Sequence, residues 1–161
     1  MSAAGQPGAL RIGLISDTHG LLRPEALDFL AGSDHIVHGG DIGGPEILER
    51  LAALAPLTVV RGNNDTAAWA RALPVTARVA FGDVTLLAIH DVKELASGAG
   101  LDGVRVVLSG HSHRPSSAER GGVLYVNPGS AGRRRFSLPI SAGELLIEGG
   151  QVRVRLVTLC A

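Results

Sequence analysis

Residues 10–20 read LRIGLISDTHG, a short apolar run, Leu10–Ile15, that breaks into Ser16-Asp17-Thr18-His19-Gly20. That pattern predicts a buried strand entering a loop. It recurs twice downstream. His35–Val37 stops at His38-Gly39-Gly40-Asp41, and Leu57–Val60 stops at Arg61-Gly62-Asn63-Asn64-Asp65. Between these runs, Pro24–Leu30 and Pro45–Leu54 each start with proline, whose fixed φ suits the first helical position. Ile47, Leu48, Leu51 and Leu54 then fall on one helical face. A third, shorter helix is expected over Thr66–Ala70, with Asp65 as its cap or a turn residue, or as a group that supports a ligand from behind. Three strand–loop–helix units in a row predict an α/β fold whose first strands are parallel.

The later half changes character. Val75–Ala80 and Val84–Ile89 flank Phe81-Gly82-Asp83, Ser116–Glu119 and Val123–Val126 flank Arg120-Gly121-Gly122, and Glu144–Ile147 and Val152–Val157 flank Gly149-Gly150. All three are hairpin signals. Val104–Leu108 is an apolar run, interrupted by Arg105, that leads into Ser109-Gly110-His111. These later strands are expected to be antiparallel. The architecture expected is a four-layer α/β/β/α sandwich, with two packed mixed β-sheets and helices outside. Residues 1–9 read as a disordered lead-in and residues 10–161 as a single domain.

Composition narrows the function. With 161 residues, 45% apolar and 19% charged, the chain can bury a core without staples. Lys plus Arg and Asp plus Glu are each 15, so no net basic face exists for general nucleic-acid binding. The apolar runs are too short for a membrane span, and residues 1–9 carry no signal-peptide pattern. One cysteine, Cys160, rules out a disulfide within the chain. The location expected is the cytoplasm. Glycine, at 22 residues, is about twice its usual share and clusters beside His, Asp and Asn.

The polar residues at strand ends form a set. Asp17 and His19 follow the first strand, Asp41 the second and Asn63 the third. His90 follows Val84–Ile89, and His111 and His113 follow Val104–Leu108. Sites in open α/β sheets form outside the carboxyl ends of strands, so these loops should converge. The i, i+2 spacing of Asp17/His19 and His111/His113 would aim both side chains of each pair one way on an extended backbone. Imidazole, carboxylate and amide oxygen are donors for manganese, iron, zinc or nickel, and no cysteine-type zinc site is possible. Seven candidates suit two ions, with Asp41 as the carboxylate between them.

Asp-x-His, Gly-Asp, Gly-Asn-x-Asp, a lone His and Gly-His-x-His, in this order, resemble the calcineurin-like metallophosphoesterases, and most of all their small YfcE-like phosphodiesterase branch. The resemblance runs from Arg11 to about Val157 and includes Asn127-Pro128-Gly129-Ser130. It implies that Asp17, His19, Asp41 and His113 hold one divalent metal, and Asp41, Asn63, His90 and His111 the other. Manganese is the first choice. A hydroxide shared by the ions would attack phosphorus in line, with Asp41, Asn63 and His90 at the catalytic centre. Two divalent ions against two carboxylates and a hydroxide leave one positive charge, which a phosphodiester monoanion cancels. The implied partner is a small phosphoester substrate, and relatives often form homo-oligomers. Alternatives within the fold are a phosphomonoesterase, a dinucleoside polyphosphate hydrolase, or a non-catalytic scaffold like the retromer subunit.

Two positions depart from the wider superfamily. Asn64 stands where many members carry a proton-donating His, and Asp91-Val92-Lys93 follows His90 where Gly-His is common. Around the core set, His38 is placed to orient a ligand or simply to pack, and Arg133-Arg134-Arg135 to meet substrate phosphate or solvent. His35 reads as a satisfied polar residue, and Phe29 and Trp69 as core.

Overall fold

The computed structural model describes residues 9–95 and 101–160; apart from Ala9, the expected lead-in lies outside them. The first sheet holds β1 (Leu10–Ile15), β2 (His35–His38), β3 (Leu57–Val59), β9 (Ile140–Glu148) and β10 (Gln151–Cys160), in the order β10-β9-β1-β2-β3. The second holds β4 (Thr76–Phe81), β5 (Val84–Ile89), β6 (Val104–Leu108), β7 (Ser116–Arg120) and β8 (Val123–Asn127), in the order β4-β5-β6-β8-β7. Both sheets are mixed, as expected of the sandwich.

Ile12, Leu14, Leu86, Ala88, Val106, Leu108 and Leu145, all fully buried, form the layer between the sheets. Successive strand residues point to opposite faces, so Ile15 and Ile36 face the other way. There they meet Leu30 of α1 (Pro24–Leu30) and Ile47 and Leu51 of α2 (Pro45–Ala52). Neither helix has a side-chain cap. Each begins on its proline, with Glu25 or Glu46 in the first turn beside the positive end of the helix dipole. The outer face of the second sheet carries Leu87, Ile89, Val104 and Val107, covered by Val92, Leu95 and Leu101 around the short 3-10 turn Val92–Glu94. That fourth layer is thin.

Three local expectations need correction. The later strands are not all antiparallel: β5 pairs with β6, and β6 with β8, in parallel. The helix over Thr66–Ala70 is one 3-10 turn, Ala68–Ala70. Asp65 does not cap it; its carboxylate turns back to the loop after β2. None of the described helices is long and apolar enough to cross a membrane.

Candidate metal centre

All seven candidate ligands lie just past the carboxyl ends of strands: β1, β2 and β3 in one sheet, β5 and β6 in the other. The loops are tied to each other through the backbone. Asp17 N–H donates to Gly40 O at 3.0 Å, His19 N–H to Asp41 O at 2.9 Å, and Gly110 N–H to His90 O at 2.9 Å. Asp17, Asp41, His90 and His113 are buried, His19 is half-buried, and Asn63 and His111 are exposed.

Extended backbone at the i, i+2 pairs is not what aims these side chains. Asp17, His19, Asp41, His111 and His113 are not extended; their φ values are 55°, 46°, 58°, 72° and 63°. Five of the six non-glycine residues with positive φ among the described residues are therefore candidate ligands. Left-handed backbone costs an L-residue on the order of 1 kcal/mol, and such strain gathers at functional sites. It turns each side chain inward from a tight loop.

Two groups of donor atoms result. Asp17, His19 and His113 form one, and Asp17, Asp41 and His90 the other, with all atoms of each group within 4.8 Å of one another. Asp17 belongs to both, while Asp41 approaches the first through His19 Nε2 at 3.7 Å. Asn63 and His111 meet at the exposed rim, where Asn63 Oδ1 is 3.2 Å from His111 Nδ1.

The electrostatics call for cations. His90 Nδ1 donates to Gly39 O at 2.7 Å, which in the neutral ring leaves a lone pair on Nε2. That atom faces Asp41 Oδ2 at 3.2 Å and Asp17 Oδ1 at 3.9 Å. Lone pair against carboxylate is repulsive unless a proton or metal ion lies between. Burial would lower the His90 pKa, but Asp41 and Asp17 raise it to about 9. His19 Nε2 and His113 Nε2 also face each other at 3.4 Å, beside Asp17 Oδ1. Asp17 Oδ1 and His90 Nε2 are buried without a hydrogen-bond partner, which fits a site built for metal.

Several residues position this set. His38, fully buried, accepts Gly40 N–H on Nδ1 at 3.0 Å, so Nε2 carries the proton and donates to Thr18 Oγ1 at 3.0 Å. Thr18 passes the chain on by donating to Ile42 O at 2.7 Å. One neutral imidazole thus joins the Asp17–His19 loop to the Asp41 loop. Burial holds the His38 pKa down at about 4. Asp65 accepts backbone N–H groups from Asp41, Ile42, Gly43 and Gly62, fixing the Asp41 loop from the other side. Asn127 donates to Gly110 O at 2.8 Å and Ser112 Oγ at 3.1 Å, steadying the loop of His111 and His113. A Cβ on Gly62 would collide with Asp41, and one on Gly110 with Ser16 and Asp17. Those two glycines stand beside ligands because the loops touch there.

The other sequence candidates fall outside the cluster. Arg133 is exposed, and no hydrogen bond joins its side chain to the ligand set among the described residues. Its loop is nevertheless seated on the site: Ser130 Oγ donates to Asp17 O at 3.0 Å, and Arg23 Nε to Gly132 O at 3.1 Å. His35 is satisfied by Thr58 Oγ1 at 2.7 Å. Trp69 and Phe29 pack, half-buried, on the helical core.

Residues 10–149 match the family model of the calcineurin-like phosphoesterase superfamily domain. A probable metallophosphoesterase of Methanocaldococcus jannaschii is 35% identical over 136 residues, covering 76% of this chain and 69% of that protein. The YfcE phosphoesterase from E. coli has a TM-score of 0.65 at 23% identity, covering 94% of this chain and 100% of that one. Vacuolar Protein Sorting 29 from Cryptosporidium parvum has a TM-score of 0.76 at 19% identity, covering 93% and 97%. At those identities the two structures speak for the fold alone.

Proposed function

Because the chain belongs to the calcineurin-like phosphoesterase superfamily, we propose that it is a phosphodiesterase working with two divalent transition-metal ions, manganese first. Two buried atoms without partners, Asp17 Oδ1 and His90 Nε2, carry this reading, because a cation is what would complete them. Asp17, His19, Asp41 and His113 would hold one ion, and Asp41, Asn63, His90 and His111 the other. Bound there, the ions would supply Lewis-acid activation of water and neutralise charge on the phosphoryl oxygens.

The chain's own residues set the rest. Asp41, with Asn64 and His90 against it, is kept ionised and pointed into the site. His38 and Asp65 hold its loop still, so little reorganisation is left for the reaction. Asn64 cannot release a proton at neutral pH, so the leaving oxygen departs without an imidazole acid at that position. Arg133, on the rim, would meet the substrate's negative charge. The single net positive charge of the loaded site matches a diester monoanion better than a monoester dianion. A non-catalytic scaffold would have no use for five candidate ligands on left-handed backbone, which favours the enzyme.

The test is hydrolysis of bis(p-nitrophenyl) phosphate and p-nitrophenyl phosphate by chain stripped of metal and reloaded with manganese. The diester should be cleaved with the higher kcat/KM, only in the loaded protein. A preference for the monoester, or no turnover with any of manganese, iron, zinc and nickel, would overturn the reading.

A further inference from the structure

The edge strand β7 pairs with β8 so that Ser116 lies opposite Asn127, Ala118 opposite Tyr125 and Arg120 opposite Val123. Residues two apart on a strand share a face, which places Ser116, Ala118 and Arg120 beside Tyr125 on the outer side of the second sheet. Ser116 and Ala118 are small and leave depth. The Arg120 guanidinium lies 4.3 Å from the Tyr125 ring centroid, as a flat cation stacked on a half-buried aromatic. Lys93, the only lysine in the chain, lines with Arg120 and Tyr125 a cleft of about 230 Å³. Neither Lys93 nor Arg120 has a salt-bridge partner among the described residues.

This cleft borders the metal centre. Asp91 and His111 line it on one side, and on their other side line a hollow of about 290 Å³ that includes Asn63 and His90. A phosphoester with phosphorus over His90 has one arm that must pass His111 into the neighbouring cleft. Whole-ligand pockets run from about 300 to 1,000 Å³, so this cleft suits an arm and not an entire substrate.

Resting on the phosphodiesterase reading, we propose that the Arg120–Tyr125 cleft seats one ester arm of the substrate, a planar ring carrying hydrogen-bond acceptors. The exposed face of the stacked guanidinium is the platform for the ring. Lys93, with three donors and no acceptor, faces its acceptor-bearing edge. A simple aryl group offers the planar ring alone and a nucleobase the ring with its acceptors, and the measurement separates them.

The experiment is calorimetric binding of methyl phosphate, phenyl phosphate and adenosine 5′-monophosphate to manganese-loaded chain. These monoesters stand for products of diester cleavage, so binding is read without turnover. Ring stacking should make both ring-bearing ligands bind about tenfold tighter than methyl phosphate. R120A should erase that advantage and leave methyl phosphate unchanged, and R120K should behave like R120A, since an ammonium cannot stack as a plane. K93A should weaken adenosine 5′-monophosphate and leave phenyl phosphate unchanged, and no loss for either ligand would overturn the acceptor-bearing ring. Equal affinity for all three ligands in the parent chain, or a ring advantage that survives R120A, would overturn the cleft assignment. Failure of all three to bind would instead bring down the phosphodiesterase reading, and the cleft with it.

Discussion

Asn64 grips both oxygens of Asp41: its backbone N–H donates to Oδ1 at 2.8 Å and its side-chain amide to Oδ2 at 3.0 Å. Burial would raise the Asp41 pKa, but His90 and Asn64 hold it well below the usual carboxylate range. The position expected to lack a proton donor therefore has work of another kind. It keeps the central carboxylate charged and pointed.

With no imidazole acid at position 64, the rate should depend steeply on leaving-group pKa, with aryl diesters far ahead of alkyl ones. Asn64→His offers an acid but removes the amide bond to Asp41. It should narrow the aryl–alkyl gap, within a ceiling of ~10²–10⁴-fold, while weakening manganese affinity by about tenfold. Kinetics over a leaving-group series, with a manganese titration, measures both. A flat series in the parent chain would mean that the leaving-group proton already comes from elsewhere.

Metal analysis of the reloaded chain should give two ions. Asp41→Ala should lose both, because the proposed ligand sets share Asp41. Asp17→Ala should do the same, since Asp17 alone occurs in both close groups of donor atoms. Two ions retained in Asp41→Ala would remove it from the bridging role and leave that to Asp17.

His38 makes stability depend on pH. Its pKa of about 4 in the fold lies below the 6.5 of an unfolded chain, so folding favours the neutral ring. The contribution is complete above pH 6.5, falls as pH drops toward 4, and is level below that. The loss should reach ~3 kcal/mol. Urea denaturation at pH 7 and pH 4.5 should show a steeper acid loss for the parent chain than for His38→Gln, which should itself be less stable at pH 7. Equal losses in the two chains would show that the buried imidazole is not their source.

Replacing Arg133, Arg134 and Arg135 together by Ala should raise KM for anionic diesters at low ionic strength and leave kcat nearly unchanged. The difference should shrink in high salt. Unchanged kcat/KM at low salt would make these arginines a solvated face and nothing more.

Local signals were plain in this chain. Pro24 and Pro45 announce their helices, and the Gly-rich breaks after each apolar run place the ligand loops at strand ends. Much of the rest depends on contacts between distant segments. Asp65 resembles a helix cap in sequence, yet its oxygens bond Asp41 and Ile42, more than twenty residues away. Arg120 and Tyr125 look like ordinary hairpin residues until the parallel pairing of β6 with β8 brings them into one cleft with His111. Val104–Leu108, in contrast, is apolar but for Arg105, as befits a strand with parallel neighbours and both faces covered. The left-handed φ of the ligands had no sequence mark, since Asp and His adopt it only because surrounding bonds compel them.

That backbone sets durability against chemistry. Each left-handed ligand is a place where glycine would relax the chain and the ion would lose a donor, so the changes that toughen the metal-free fold are those that disable it. His111 shows the conflict most openly, being exposed at φ 72° with little packing to forfeit. His111→Gly should raise the melting temperature of stripped protein and shrink the further rise that manganese brings. Screening variants for heat resistance alone would then favour sturdy chains that no longer hold their full complement of metal.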